Sequence, residues 1–143
     1  MITLNRSAAS FQAEIAALRK RAITLVNAEI GEVRKDYITD IPGQQMIYVA
    51  KEKEAAAFLG KDPAPMDLTP YPFIAGEIGP TGENASQVAQ VYVNLAAFWR
   101  QVGSELEQLR LGTIAGIGAA TDQTGIDAIL AGFRETAELY RNV

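Results

Sequence analysis

All six prolines of this 143-residue chain lie between Pro42 and Pro80. Proline breaks the interior of a helix because its ring removes a hydrogen-bond donor and clashes with the preceding turn. The segments before and after this stretch are therefore free to form long helices, whereas the middle is not. The sequence predicts an all-α fold, in which two long helices and shorter helices pack as a helical bundle with a proline-rich central loop. The length favours a single helical domain over residues 1–143.

The first arm, residues 7–35, carries apolar residues at helical spacing. One stripe consists of Phe11, Ile15, Leu18, Ala22 and Leu25, and a second consists of Ile23, Val26, Ile30 and Val33. Together they predict one long helix with a broad apolar face. Ser7 or Asn5 is expected to cap its N-terminus. The charged run of residues 19–21 is interpreted as a solvated face, with a patch for phosphate or an acidic partner as the alternative.

The middle segment, residues 40–82, is expected to hold a short helix followed by the proline-rich loop. The helix is predicted over residues 44–59, with Thr39 or Asp40 as its cap, Pro42 suited to a first helical position and a left-handed Gly60 as its stop. A strand over residues 46–50 is the alternative interpretation, since short apolar runs are ambiguous. Residues 51–54, Lys-Glu-Lys-Glu, are expected to face mostly solvent.

The loop over residues 62–80 contains Met66, Leu68, Tyr71, Phe73 and Ile74. This content is too apolar for a free linker, so we expect an ordered surface loop that wraps on the bundle. Residues before proline avoid helical backbone, which predicts extended or turning structure through residues 62–72. Another short helical turn is expected near residues 73–75.

The second arm is predicted to form a long helix over residues 84–120 and a C-terminal helix over residues 124–140. Asn84 with Gln87, and Thr124 with Asp127, resemble capping boxes at the two starts. Apolar residues along the long helix follow spacings of three and four. Those expected to face inward include Tyr92, Leu95, Trp99, Val102 and Leu109.

Composition excludes several kinds of chemistry. The chain has no cysteine and no histidine, which removes thiolate nucleophiles, the commonest general base and the commonest transition-metal ligand. Its net charge of −4 argues against nucleic-acid binding. The neighbouring carboxylates Glu52/Glu54 and Glu105/Glu107 point apart on a helix, because residues two apart do not share a face. We therefore expect no enzyme activity, catalytic residue, metal ligand, cofactor or small-molecule substrate.

The glycine-rich segment of residues 111–120 contains Gly116 and Gly118 but lacks a third glycine, a preceding strand and a P-loop lysine. A dinucleotide site is therefore weakly supported, and a helix face of small residues is the better interpretation. The chain also shows no secretory signal pattern and no apolar stretch long enough to span a membrane. We expect no membrane partner.

The aromatic residues are the remaining candidates for binding. Tryptophan and tyrosine are enriched in the central residues of protein interfaces. Core packing is the alternative role for each of them. The interface candidates are Tyr71, Phe73, Tyr92, Phe98 and Trp99.

Three stretches also carry a family resemblance. They read IPGQQMIYVAKEKEA at residues 41–55, YPFIAGEIG at residues 71–79 and NLAAFWR at residues 94–100. In this order they are similar to small helical proteins encoded in the tail-fibre and baseplate regions of tailed bacteriophages and prophages. The end of the chain, residues 114–133, also looks like helical tail segments of phage fibre and fibre-assembly proteins.

The resemblance implies a structural or connecting component of a phage tail, near its fibres or baseplate. Such a protein would be made in the host cytoplasm and located in the virion tail. Its partners would be other tail proteins, and the wide apolar faces of both arms favour a homo-oligomer. The alternatives are a tail-fibre assembly chaperone and a cellular helical adaptor. The motifs are structural, so the resemblance implies no catalytic or ligand residue.

Overall fold

The computed structural model describes residues 7–141, and helices account for 76% of these residues, which confirms the all-α prediction. The structure also places an isolated β-bridge between Ile78 and Gly82. The helices of the described residues are α1 (Ala8–Lys35), α2 (Gln44–Leu59), α3 (Pro72–Glu77), α4 (Ala85–Ala119) and α5 (Gln123–Leu139).

The chain forms two compact units, each with its own buried residues. The first unit comprises Met1–Ile38 with Gly103–Val143, and the second comprises Thr39–Val102. The long helix α4 contributes its N-terminal part to the second unit and its C-terminal part to the first. The expectation of a single domain stays a prediction.

In the first unit α1 packs against α5, and the C-terminal part of α4 lies beside them. The two apolar stripes predicted on α1 contribute unequally, because one helix buries only the arc that its neighbours cover. Phe11 is exposed, and Leu18, Ile23 and Leu25 are half-buried, so the described residues cover only part of the broad apolar face predicted for α1. The buried residues of this unit are Ile15, Ala22, Val26, Ile30, Val33, Leu106, Thr113, Ile117, Ile126, Phe133 and Ala137.

The ends of α1 and α4 are held by side chains. The Ser7 hydroxyl accepts a 3.1 Å hydrogen bond from the Ser10 N–H, which confirms Ser7 as a cap; Asn5 lies outside the described residues. The Arg19 guanidinium donates to the Ala120 carbonyl at the end of α4. The interpretation of Arg19 as a solvated charge was therefore wrong, because a helix C-terminus offers unpaired carbonyls to a nearby cation.

The second unit is built around α2, α3 and the start of α4. Leu68 and Phe73 pack against its buried cluster, so most apolar residues of the loop do lie on the core, whereas Met66 is exposed. The part of the proline-rich segment that carries Leu68 and Phe73 is therefore packed on the core, as predicted. The buried cluster consists of Ala55, Phe58, Tyr71, Ile74, Val88, Ala89 and Tyr92.

The helix α2 has the predicted bounds but different signals at both ends. The Gln44 N–H donates to the Ile41 carbonyl at 3.0 Å, and Gly43 has a φ of 84°. Residues 41–44 therefore form a β-turn with proline at its second position and glycine at its third. These are the residues that a type II turn prefers at those positions. Gly43, rather than Thr39 or Asp40, therefore precedes the helix, and Gly60 has right-handed backbone. The alternative strand over residues 46–50 was wrong.

Side chains also cap α4 and α5. Asn84 Oδ1 accepts a 3.0 Å hydrogen bond from the Gln87 N–H, as predicted, while Gln87 Oε1 accepts one from the Glu83 N–H at 2.8 Å. The helix α5 was predicted to start at Thr124 but begins one residue earlier, at Gln123. Asp122 is the cap of α5, because its carboxylate reaches the Gly125 N–H at 2.7 Å.

Candidate interaction surface

Three of the five interface candidates belong to the core of the second unit. Tyr71 packs edge-on against Phe58, with ring centroids 5.2 Å apart. The Tyr92 hydroxyl donates a 3.2 Å hydrogen bond to the Phe73 carbonyl. Tyr71 and Tyr92 are buried and Phe73 is half-buried, so these side chains leave little surface for a partner.

The other two candidates lie further along α4. Phe98 is 47% exposed and Trp99 is half-buried. Leu95 was expected to face inward but is 61% exposed. The buried cluster of the second unit covers α4 at residues 88–92, whereas the turn that carries Leu95 receives no such cover.

Leu95 and Phe98 therefore form a continuous exposed surface, which we call the α4 apolar pair. Residues three apart on a helix lie on the same side, about 5–6 Å apart. Beside the pair, Gln90 donates a 2.8 Å hydrogen bond to Asn94. Arg100 lies on the other side of α4, where it forms an ion pair with Glu52 of α2.

A second exposed apolar surface runs along α2. Met46 is 78% exposed and Val49 is 65% exposed, and Ala56 follows on the same side of the helix. We call these three residues the α2 apolar face. The opposite side of α2 carries the buried residues Ala55 and Phe58. The helix is therefore apolar on both sides, although residues 7–141 cover only one of them.

A polar network fixes α3 beside α2. Lys51 forms an ion pair with Glu77 and lies 5.1 Å from the centroid of the Tyr92 ring. The Thr81 hydroxyl donates to Glu77 at 2.8 Å. The Glu54 carboxylate accepts hydrogen bonds from backbone N–H groups at the start of α3. This network joins three segments of the second unit through their side chains.

The network shifts the acidity of its members. Burial alone raises the pKa of Glu77, but hydrogen bonds from Lys51 and Thr81 outweigh it and lower that pKa below its usual value. Burial raises the pKa of Tyr92, and the neighbouring carboxylate of Glu77 raises it further. Both groups therefore stay in their usual ionisation states near neutral pH, which suits a structural network.

The expectation that Lys51 and Glu54 face mostly solvent was wrong, because both are half-buried in this network. A signal for this was present in the sequence. Each residue precedes a buried residue by four positions, Lys51 before Ala55 and Glu54 before Phe58. Residues four apart share a helix face, so the periodicity already places both on the core side.

Charged residues of the first unit pair across its helices. Glu107 accepts hydrogen bonds from Arg34 at 2.7 Å and from Arg110 at 2.6 and 2.9 Å. Glu105 accepts one from the Tyr140 hydroxyl at 3.0 Å. The two carboxylates thus bind different partners, as expected for residues two apart on a helix, and do not converge on one site.

The glycine-rich segment lies within α4, so no strand precedes it. In the first unit, Gly112 and Gly116 of α4 and Gly132 of α5 line an open groove of about 530 Å³. The Ile129 side chain packs over Gly116, whereas a Cβ at Gly112 or Gly132 would meet open space. This groove is broad and holds no cluster of charged side chains.

Within the described part of the chain, no group of three or more acidic side chains is placed to hold a metal ion. Among residues 7–141, no helix has the length and apolarity needed to cross a membrane. No protein-family model, curated protein or solved structure shows significant similarity to this chain. The candidate interaction surfaces are the exposed apolar side chains of α2 and α4.

Proposed function

We propose that this chain is a structural connecting component of a bacteriophage tail, near the fibres or baseplate, that acts by binding other tail proteins. The observation that supports this most directly is where the three resemblance-bearing stretches lie. Residues 41–55, 71–79 and 94–100 all fall within the second unit. They form the turn before α2 and most of that helix, the core around α3, and the α4 turn with the apolar pair.

The α4 apolar pair suits a binding role. Phe98 presents a large ring on a helix, so little side-chain and backbone freedom is lost when a partner covers it. On the other side of α4, the ion pair of Arg100 with Glu52 ties this part of the helix to α2 and so fixes the pair's support. A partner with an apolar pocket fits this surface. We assign that partner to the fibre or baseplate proteins of the tail.

Particle composition tests this proposal. The double variant Leu95→Ser with Phe98→Ser removes the apolar pair while replacing exposed residues only. In particles produced from a genome that encodes it, we expect the variant protein to be lost, whereas the unaltered protein is present in a fixed ratio to the fibre or baseplate subunits. Quantitative mass spectrometry of purified particles measures both.

The matched control is Leu139→Ser, which replaces an exposed leucine on α5 in the first unit. It should leave the protein in the particle. Protein found only in the lysate, with fibres that fail to assemble without it, would instead identify an assembly chaperone. Protein that has no effect on particles would contradict both phage roles and favour a cellular adaptor.

A further inference from the structure

Met66 is the most exposed large apolar residue of residues 7–141, with 98% of its surface accessible to solvent. It lies in the proline-rich loop, between Pro65 and Asp67. Methionine usually fills gaps in a core, where neighbouring side chains shield its sulfur from solvent. In this loop the sulfur, Sδ, is open to solvent, so a dissolved reagent reaches it without any change in the fold.

The loop holds Met66 in this position through the residues that follow it. The Asp67 carboxylate accepts a 3.0 Å hydrogen bond from the Thr69 N–H. The Leu68 carbonyl accepts one from the Tyr71 N–H at 2.8 Å, and Leu68 packs against the buried cluster of the second unit. The exposure of Met66 is therefore a property of an ordered segment that is attached to the core.

The cores of the two units contain no sulfur among the described residues. The chain has three methionines and no cysteine, and none of the buried residues within 7–141 is a methionine. Met46 is 78% exposed on α2, and Met1 lies outside the described residues. Oxidation of a buried methionine disrupts a core, because the sulfoxide is polar. At Met66 the same polar group lies on the surface and displaces no packed neighbour.

We propose that Met66 is a reversible oxidation site, at which a peroxide converts the thioether to a sulfoxide while the second unit stays folded. With hydrogen peroxide, one oxygen atom passes to Sδ. The O–O bond breaks, an S–O bond forms, and the remaining oxygen leaves as water. The sulfur loses two electrons and the peroxide gains them. A methionine sulfoxide reductase restores the thioether, releasing the oxygen as water while a dithiol is oxidised to a disulfide.

This inference goes beyond the proposed tail function and does not rest on it. The oxidation replaces an apolar loop tip by a polar one and leaves the α4 apolar pair unchanged. It is tested with the purified protein alone, whereas the tail role is tested in particles. Either result can therefore fail without affecting the other.

Peroxide treatment followed by tryptic digestion and mass spectrometry tests the site. Trypsin cuts after lysine and arginine, which places the three methionines on three different peptides, residues 1–6, 36–51 and 62–100. Oxidation adds the mass of one oxygen atom, and fragmentation of the 62–100 peptide assigns that atom to Met66 or to Trp99. We expect Met66 to react before Met46, at a rate within about threefold of its rate in the urea-unfolded chain.

Two leucine variants serve as matched controls, because leucine keeps an apolar side chain of similar volume without sulfur. Met66→Leu should abolish the oxygen gain on the 62–100 peptide and leave the gain on the 36–51 peptide unchanged. Met46→Leu leaves Met66 as the last thioether apart from Met1. Oxidation of this second variant should change neither its helical circular dichroism nor its unfolding midpoint in urea. A sulfoxide reductase with a dithiol should then remove the oxygen.

Four results would overturn the inference. The first is a rate for Met66 in the folded chain below the expected range, which means that the sulfur is shielded. The second is oxidation of Met46 before Met66. The third is a loss of helical signal when the Met46→Leu variant is oxidised, which means that Met66 supports the fold. The fourth is a sulfoxide that the reductase leaves in place, which means that the modification is permanent.

Discussion

The Glu54 carboxylate accepts a 2.9 Å hydrogen bond from the backbone N–H of Ile74, so a side chain of α2 caps the start of α3. Its other oxygen accepts from the Phe73 N–H at 3.2 Å. The first N–H groups of a helix have no partner within that helix, and in a helix of six residues they are most of the donors. Glu54 therefore fixes the segment that places Ile74 in the core.

We expect Glu54→Ala to lower the free energy of unfolding by about 1–2 kcal/mol, the cost of losing a helix cap. Glu54→Gln keeps one acceptor oxygen and should cost less than Glu54→Ala. Urea unfolding followed by circular dichroism measures both. The control Glu135→Ala removes an exposed carboxylate of α5 and should change the stability by less than about 0.5 kcal/mol. Equal stability of Glu54→Ala and the unaltered chain would contradict the capping role.

Phe58 is the largest fully buried side chain of the chain's described residues, and it packs edge-on against Tyr71. Phe58→Ala leaves a cavity and should lower the free energy of unfolding by about 3–5 kcal/mol. Phe58→Leu keeps most of the volume and should cost clearly less. The exposed substitution Leu139→Ala is the control, with little expected change. A cost below about 1 kcal/mol for Phe58→Ala would mean that this core is not formed.

The fold class and the positions of the helices could be predicted because both depend on local chemistry. Proline confines the irregular segment to the middle, and apolar spacing reveals the two arms. The bounds of α2 were predicted as observed, and those of α4 within one residue at each end. The residues that cap the helices were harder to predict, because Gly43 and Asp122 occupy the cap positions expected for other residues. Several residues near a helix start can cap it, and the turn that precedes the helix selects one.

The surface was less predictable because exposure depends on what lies opposite a residue. Leu95 follows the apolar spacing of α4 but meets no cover at its turn. Arg19 belongs to a charged run, yet the end of α4 comes within its reach. From a single sequence one can predict on which face of its helix a residue lies, but not which distant residue will pack against it. The candidate binding surfaces on α2 and α4 therefore emerged from the structure.

Two glycines should respond to alanine in opposite directions. Gly43 has a φ of 84°, a left-handed conformation that costs other residues about 1–2 kcal/mol, so Gly43→Ala should destabilise the chain by about 1 kcal/mol. Gly31 lies inside α1, where an added Cβ meets nothing within 4 Å. Gly31→Ala should therefore stabilise the chain by about 0.5–1 kcal/mol. Thermal and urea unfolding compare the two, and a shift of the same sign in both would contradict this reasoning.

The stability of the first unit should fall in acid through Glu107. Hydrogen bonds from Arg110, joined by that from Arg34, lower the pKa of this carboxyl from about 4.5 to about 2, although burial opposes the shift. A carboxyl whose pKa is lower in the folded chain stabilises the fold above its unfolded pKa. That contribution is lost as the pH falls from about 5 toward 2, because protonation removes the charge that both arginines bind.

Glu107→Gln removes this titration and isolates its effect. At pH 7 we expect the unaltered chain to be more stable than the variant, and the gap should narrow steadily as the pH is lowered from 5 to 2. Urea unfolding at several pH values measures the gap, and added salt should reduce it at pH 7, since both arginines are partly exposed. Glu135→Gln on α5 serves as the control and should show no such narrowing. A gap that stays constant across this range would show that the paired charge of Glu107 contributes nothing to folding.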